Sequence, residues 1–282
     1  MTGWRLEVRH ETGFSYAGRV DASYNEARMT PREDPHQAVL EARVEVWPPA
    51  STYRYADYWG TVVTAFDVHK AHERLSVTAS ATVETLPPGD LLAPAGWADL
   101  ADPGTVDRWH ELLLPTPRTA LDEELTALAE EIRGAHGTPH AAARAVCDRV
   151  RAEVSYVAGS TGVQTDAVQA WRQRSGVCQD LSHLTVGLLR AMGVPARYVS
   201  GYLHPTPDAP VGETVVGQSH AWVEWFAGRW IGFDPTNGIP IGERHVVVGR
   251  GREYGDVPPL KGVYAGPPNT GQGVSVRLTR RR

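Results

Sequence analysis

Three residues whose side chains can perform covalent chemistry together lie in the second half of the chain: Cys178, His220 and Asp234. A thiol needs a base to become a nucleophile at neutral pH, and that base needs a third group to hold its ring in place. The types and the order of these residues therefore predict a thiol hydrolase or an acyl transferase.

The cysteine is predicted to lie at the start of a helix. Gly176 stands just ahead of it, and Gly193 and Pro195 follow the last apolar position. The apolar residues between them recur at helical spacing: Leu181, Leu184, Leu188, Leu189 and Met192. In the first turn of a helix the backbone N–H groups are unpaired, and the helix dipole favours a thiolate. Taken alone, Cys178 is equally compatible with a core cysteine that has no chemical role.

The histidine and the aspartate are predicted to meet across a β-hairpin. Residues 218–226 alternate as a strand does, and 229–233 form the return strand. A three-residue turn over 226–228 places His220 directly opposite Asp234, with Cβ atoms roughly 4.5–5.5 Å apart. The carboxylate would then fix the tautomer of the ring and leave its other nitrogen facing the thiol. The competing interpretations are a structural strand histidine and a turn-forming aspartate.

Short motifs surround these residues, at 176–180 (Gly-Val-Cys-Gln-Asp), 219–224 (Ser-His-Ala-Trp-Val-Glu) and 232–237 (Gly-Phe-Asp-Pro-Thr-Asn). Together they resemble the bacterial transglutaminase-like branch of the papain-like superfamily, whose members are often described as cysteine proteases. The resemblance implies that Cys178 is the nucleophile, that His220 is the base and later the acid, and that Asp234 is the orienting carboxylate.

The resemblance extends over nearly the whole chain. Segments at 9–16, 24–28 and 57–60 resemble the β-rich N-terminal region of that family, and 248–262 resembles its closing motif. The closing motif usually contains Gly-Arg-Asp-Tyr, whereas residues 251–254 are Gly-Arg-Glu-Tyr and carry an insertion. The loop at this point is therefore expected to differ locally.

The sequence patterns and this resemblance predict an α+β fold, in which an antiparallel β-sandwich-like domain precedes a papain-like, transglutaminase-like core. Alternating runs fill the first part, Pro/Gly-rich segments follow, and helical periodicity begins near 121. The predicted divisions are an N-terminal β domain (1–86), a Pro/Gly-rich linker (87–118), the catalytic core (119–250) and a C-terminal extension (251–282). Residues 274–279 are predicted to form a last strand that returns to the N-terminal sheet.

An acyl-transfer site also needs donors for the oxyanion that forms at the carbonyl. The backbone N–H of Cys178, at the helix start, is the best candidate, and Gln173 and Gln179 are side-chain candidates because they lie close by in sequence. Trp222, two residues after the predicted base, is a candidate for lining an acyl slot. The alternative interpretations are a solvated glutamine at a helix end and a tryptophan in the core.

The composition of the chain argues against several classes of protein function. The chain has 282 residues, a net charge of −5 and 22% charged residues, which is typical of a soluble protein. Apart from 280–282 it has no basic cluster that would attract nucleic acid, and no apolar run approaches the ~20 residues of a membrane span. The N-terminal residues enter a strand pattern without an apolar leader, so we expect a cytoplasmic protein that binds neither nucleic acid nor membrane.

The sequence predicts no metal and no cofactor. His183 follows Cys178 by five residues and His220 is expected nearby, but zinc normally takes three or four ligands and no further Cys or close His pair completes the set. In a reducing compartment the two cysteines need not pair, and Cys147 is predicted to serve packing within a helix.

The final acyl acceptor stays open at this point. We favour hydrolysis of peptide or amide bonds through a thioester, because the resembling branch is usually labelled as proteases. Acyl transfer from protein glutamine to an amine uses the same residues. A non-catalytic peptide-binding module on the same fold is the third alternative. The expected partner in each case is a peptide or protein, and the oligomeric state is not predicted.

Overall fold

The computed structural model describes residues 3–89, 93–217 and 219–282, and it has the predicted α+β architecture. The N-terminal strands are β1 (Trp4–Val20), β2 (Ala22–Ala27), β3 (Gln37–Trp47), β4 (Thr52–Ala56), β5 (Val62–Val68) and β6 (His72–Thr85). The middle of the chain contains α1 (Trp97–Leu100), α2 (Pro103–Arg108), α3 (Glu123–Ala135), α4 (Pro139–Glu153), β7 (Ser155–Tyr156), α5 (Ala167–Gln173), β8 (Ser175–Gly176) and α6 (Cys178–Ala191). The remaining strands are β9 (Ala196–Leu203), β10 (Thr214–Gly217), β11 (Ser219–Phe226), β12 (Trp230–Asp234), β13 (Ile239–Pro240), β14 (His245–Gly251), β15 (Leu260–Ala265) and β16 (Asn269–Arg280). Short 3₁₀ helices lie at His110–Leu112 and Tyr254–Asp256. Across these ranges, none of the helices combines the length and the apolarity needed to cross a membrane.

The N-terminal strands form the predicted antiparallel sandwich. One sheet has the strand order β10-β16-β1-β6-β3 and the other has the order β15-β2-β5-β4. Side chains from both sheets meet in one buried apolar cluster, which includes Tyr16, Ala27, Phe66 and Val77. This cluster forms because alternate residues of each strand point to the same face.

The end of the chain belongs to this sandwich. β16 pairs with β1 over nearly its whole length, and β15 pairs with β2. The sequence predicts a last strand over 274–279, and the structure has a longer one. Most of the extra residues, 269–273, are Asn, Thr, Gly, Gln and Gly, which carry no apolar alternation from which a strand could be predicted.

The predicted linker at 87–118 is partly helical, which corrects the expectation that its prolines only break regular structure. Pro103 occupies the first position of α2, and the Asp102 carboxylate before it accepts the N–H of Thr105 at 3.1 Å. Proline suits this position because its missing N–H would have no partner in the helix.

Helix α6 is the centre of the core. The sequence predicts a single apolar stripe, but every residue from Gln179 to Arg190 is buried. Helices α3, α4 and α5 pack around it, and β9 and β11 cover another side. Arg190 lies within this core, where its guanidinium donates to the carbonyl oxygens of Leu112, Leu114, Ala196 and Arg252. These bonds fasten the linker and the closing motif to the helix.

The five-stranded sheet of the core is antiparallel and has the strand order β13-β12-β11-β9-β14. Val223 and Trp225 on one face join the apolar cluster of α6, while the opposite face approaches the sandwich. There the Gln37 side chain pairs with both backbone groups of Val247, each at 2.8 Å, in the way that a neighbouring strand would.

Candidate active site

The segment before Cys178 determines where the thiol lies. The Asp180 carboxylate turns back and accepts the N–H of Val177 at 2.8 Å and the hydroxyl of Thr161. Gly176 permits this turn, because a Cβ at that position would lie only 2.8 Å from the Cβ of Asp180. Cys178 is thereby fixed as the first residue of α6, where backbone N–H groups have no acceptor within the helix.

The thiol is partly buried against apolar and aromatic side chains. Cys178 packs on the cluster formed by Tyr198, Ala221 and Val257, and Tyr254 packs on the same cluster. A surface of this kind limits the access of water to the sulfur from that side.

His220 connects the thiol to the carboxylate. Its Nε2 lies 2.7 Å from Oδ2 of Asp234, and Cys178 lies near enough to the ring to raise its pKa. Because Nε2 is engaged by Asp234, the nitrogen available to the thiol is Nδ1. Burial alone would lower the pKa of His220, but the hydrogen bond and charge of Asp234, together with the neighbouring Cys178, raise it to about 10.

Asp234 is completely buried and is held by several donors. Its Oδ1 accepts the N–H groups of Thr236 at 2.9 Å and Asn237 at 3.1 Å, while its Oδ2 accepts the side-chain amide of Asn237 at 2.7 Å. Burial would raise the pKa of this carboxyl, but the hydrogen bonds of His220 and Asn237, together with the nearby His245 ring, hold it well below its usual range. The carboxylate therefore stays charged beside His220.

The predicted register of the hairpin is wrong by two residues. The turn comprises 227–229, with Gly228 at φ +87°, so Phe226 pairs with Trp230 and Val223 with Phe233. Asp234 therefore lies diagonal to His220 along the strands and not directly opposite it. Both side chains stay on one face, because strand side chains alternate with a period of two, and their contact survives the shift.

The remaining predicted site residues have different outcomes. Trp222 is completely buried and packs on Val199 and Val247, so the prediction that it lines an acyl slot is wrong. Its position in the middle of a central strand, covered on both faces, explains this outcome. The Gln179 side-chain amide donates to the carbonyl of Val163 at 3.4 Å, which ties it to the neighbouring loop. Gln173 is exposed as the last residue of α5, and its oxyanion role stays a prediction.

The other cysteine serves packing, as predicted. Cys147 is only 1% exposed and belongs to the apolar cluster around α6. Burial raises the pKa of its thiol strongly. It therefore provides an unreactive internal reference for Cys178.

Two contacts that sequence reasoning missed hold the closing motif beside the thiol. Nε2 of the buried His183 accepts the N–H of Tyr254 at 3.1 Å, and Glu253 forms an ion pair with Arg118. The longer acid at 253 reaches Arg118, whose backbone N–H it also binds. The spacing of His183 from Cys178 suggested only a metal ligand, and nothing in that spacing indicates a backbone acceptor.

A thiol at the start of a buried helix, facing a histidine and an aspartate on an antiparallel sheet, defines a transglutaminase-like core of the papain-like type. The family model described as "Transglutaminase-like superfamily" matches residues 126–235, and "Bacterial transglutaminase-like N-terminal region" matches 6–84. The chain belongs to the transglutaminase-like superfamily, and the resemblance stated from the motifs is confirmed.

The similar proteins include a relative that matches over nearly the whole length of both chains. The uncharacterized protein ML0607 of Mycobacterium leprae is 46% identical over 277 residues, which cover 98% of this chain and 99% of that protein. A "Protein-glutamine gamma-glutamyltransferase" of Pseudomonas aeruginosa is 34% identical over 145 residues, covering 48% of this chain and 20% of that protein. The crystal structure of a "Putative Cysteine Protease" from Cytophaga hutchinsonii has a TM-score of 0.76 at 22% identity, covering 99% of this chain and 98% of that chain. At this identity the likeness concerns the fold.

Proposed function

We propose that this protein is a thiol-dependent hydrolase that cleaves peptide or amide bonds through a Cys178–His220–Asp234 triad and a thioester intermediate. The observation that supports this most is the hydrogen bond of 2.7 Å between Nε2 of His220 and Oδ2 of Asp234, in a ring near enough to Cys178 for that thiol to raise its pKa. Membership of a superfamily whose members are typically enzymes adds to it.

In the proposed reaction the Cys178 sulfur attacks the carbonyl carbon, and the electron pair displaced onto oxygen is stabilised by backbone N–H groups at the helix start. His220 donates its proton to the departing nitrogen as the carbon–nitrogen bond breaks, which leaves a thioester. A water molecule then transfers a proton to His220 and attacks the thioester, and the sulfur leaves. Asp234 keeps the Nε2–H tautomer throughout, so that Nδ1 exchanges the proton.

The reactivity of the thiol tests this proposal directly. Near pH 7 we expect iodoacetamide to label Cys178 roughly 10²-fold faster than Cys147, because a thiolate next to an imidazolium reacts and a buried neutral thiol does not. Peptide mass spectrometry of a time course gives both rates in one sample. In the His220→Ala variant most of the difference should disappear. Equal, slow labelling of both cysteines would leave only the non-catalytic peptide-binding module.

Acyl transfer to an amine is the second candidate, and the similarity to the Pseudomonas aeruginosa protein-glutamine gamma-glutamyltransferase favours it. Hydrolysis predicts that a primary amine added at millimolar concentration barely changes the products formed from glutamine-containing peptides. Mass spectrometry that finds mainly amine-linked peptide would replace hydrolysis by transfer. The Cys178→Ala variant controls for uncatalysed modification. A peptide or protein substrate and a cytoplasmic location remain part of the proposal.

A further inference from the structure

A second histidine approaches the carboxylate of the proposed triad. Nε2 of His245 lies 3.7 Å from Oδ2 of Asp234, the oxygen that also contacts His220. The His245 side chain is only 1% exposed. In the part of the chain that the structure describes, this Nε2 has no hydrogen-bond partner. A buried, unpartnered ring nitrogen beside a buried charge calls for a physical explanation.

The protonation of the ring follows from its other nitrogen. Nδ1 of His245 accepts the backbone N–H of Gly242 at 3.2 Å, and a backbone N–H can only donate. In the neutral ring the proton is therefore on Nε2, the nitrogen that faces Asp234. Burial lowers the pKa of His245, although the Asp234 carboxylate opposes this effect. At neutral pH the His245 ring is therefore neutral, whereas the His220 ring is charged.

The ring is also fixed in position. Trp222 meets it edge-on, with ring centroids 5.3 Å apart, and His245 begins β14 beside Leu203. On another side the ring lines a cavity of about 290 Å³ between the core sheet and residues 34–37. Asp234 is completely buried and does not line this cavity.

We propose that His245 is a positioning residue, which directs an N–H at Oδ2 of Asp234 and so holds the carboxylate in the orientation that His220 requires. This proposal rests on the proposed function. The distance of 3.7 Å is longer than a hydrogen bond, as is common before substrate binds, and we expect the contact to shorten in the substrate complex. His245 touches neither the thiol nor the substrate in this role, and it acts through Asp234.

The test compares a variant that removes the donor with one that restores it. In His245→Leu we expect kcat to fall about tenfold with KM within about twofold, because only the orientation of the base changes. In His245→Gln the side-chain amide can donate in place of Nε2–H, and kcat should recover to within about threefold of the wild type. Steady-state kinetics on one peptide substrate, with iodoacetamide rates as a substrate-free readout, measure both.

Control measurements separate positioning from packing. His204→Leu removes another completely buried histidine, whose ring packs on Trp4, and it should leave kcat unchanged. Equal losses of kcat in the Leu and Gln variants, or no loss in either, would overturn the role of His245 while the wild-type activity still supports the proposed function. An unreactive wild-type thiol would instead overturn the proposed function itself. Circular dichroism melting identifies any variant that fails to fold.

Discussion

Substitution of Asp234 by asparagine is expected to lower kcat/KM by roughly 10³-fold while the protein stays folded. The backbone N–H groups of Thr236 and Asn237 both donate to Oδ1, so an asparagine must place its carbonyl oxygen there. Its NH₂ group then faces Nε2 of His220. That nitrogen would have to accept, the ring proton would move to Nδ1, and the ring could no longer take a proton from the thiol.

The same substitution changes the pH dependence. In the wild type the pKa of His220 is about 10, because the hydrogen bond and charge of Asp234, together with the neighbouring Cys178, outweigh burial. The imidazolium therefore persists through neutral pH, and activity that needs it declines only as the pH rises through that value. Without the charge at 234 this decline should move to lower pH. A profile of kcat/KM against pH measures the shift.

The control for this substitution is Asp67→Asn, which removes an exposed carboxylate on the sandwich. It should leave kcat/KM within about twofold of the wild type, as expected for a surface change remote from the site. If Asp234→Asn retained wild-type kcat/KM and an unchanged pH profile, Asp234 would have no part in orienting His220.

The sequence was sufficient to predict those parts of the site that are determined by local patterns. The start of α6 at Cys178 follows from the glycine before it and the apolar repeat after it. The pairing of His220 with Asp234 follows from alternation along two consecutive strands, and it tolerated an error of two residues in register because the error was even. Motifs in which spacing implies structure are thus predictable without coordinates.

Contacts between distant segments were not predictable in the same way. Asn237 could have been suspected, because Asp and Asn in a turn often bond nearby backbone, but its second contact with Oδ2 depends on side-chain orientation. His245 begins β14, whose partner strand is β9, and the paired residues Leu203 and His245 are 42 positions apart in the chain. The burial of Trp222 likewise depends on its packing against Val199, Val247 and Ile241, which lie in other segments of the core. Hydrophobic periodicity describes one helix or strand at a time, so it does not predict packing between segments that are distant in the chain.

The largest effect on stability is expected from the removal of a buried carboxylate, that of Glu224. Glu224 is 5% exposed and binds two guanidinium groups, with Nε of Arg197 at 2.7 Å and Nε of Arg250 at 2.8 Å. Arg250 also reaches Asp34 of the N-terminal part at 2.7 Å. Glu224→Gln keeps the shape of the side chain but removes its charge. The guanidinium groups of Arg197 and Arg250 are then left with one remaining carboxylate, that of Asp34, which contacts Arg250. We expect it to lower the free energy of unfolding by about 3–5 kcal/mol.

The effect of Glu224 should depend on pH with a defined sign. Burial alone would raise its pKa, but Arg250 and Arg197 lower it to about 2 from an ordinary value of 4.5. A carboxyl whose pKa is depressed by folding stabilises the protein above its unfolded pKa and loses this contribution as the pH falls through the folded pKa. The stability difference between the wild type and Glu224→Gln should therefore shrink by on the order of 3 kcal/mol between about pH 5 and pH 2.

Urea titrations at a series of pH values measure this dependence, with Glu45→Gln as the matched control. Glu45 forms an ion pair with Arg43 at 2.8 Å, but both side chains are at least half exposed. Water and salt screen such a pair, so its loss should change the free energy of unfolding by less than about 1 kcal/mol at any pH. Because Arg250 joins Glu224 to Asp34, the large effect of Glu224→Gln should also include loosening of the sandwich from the core sheet. Equal, small effects of the two substitutions would show that the buried cluster contributes nothing to holding these parts together.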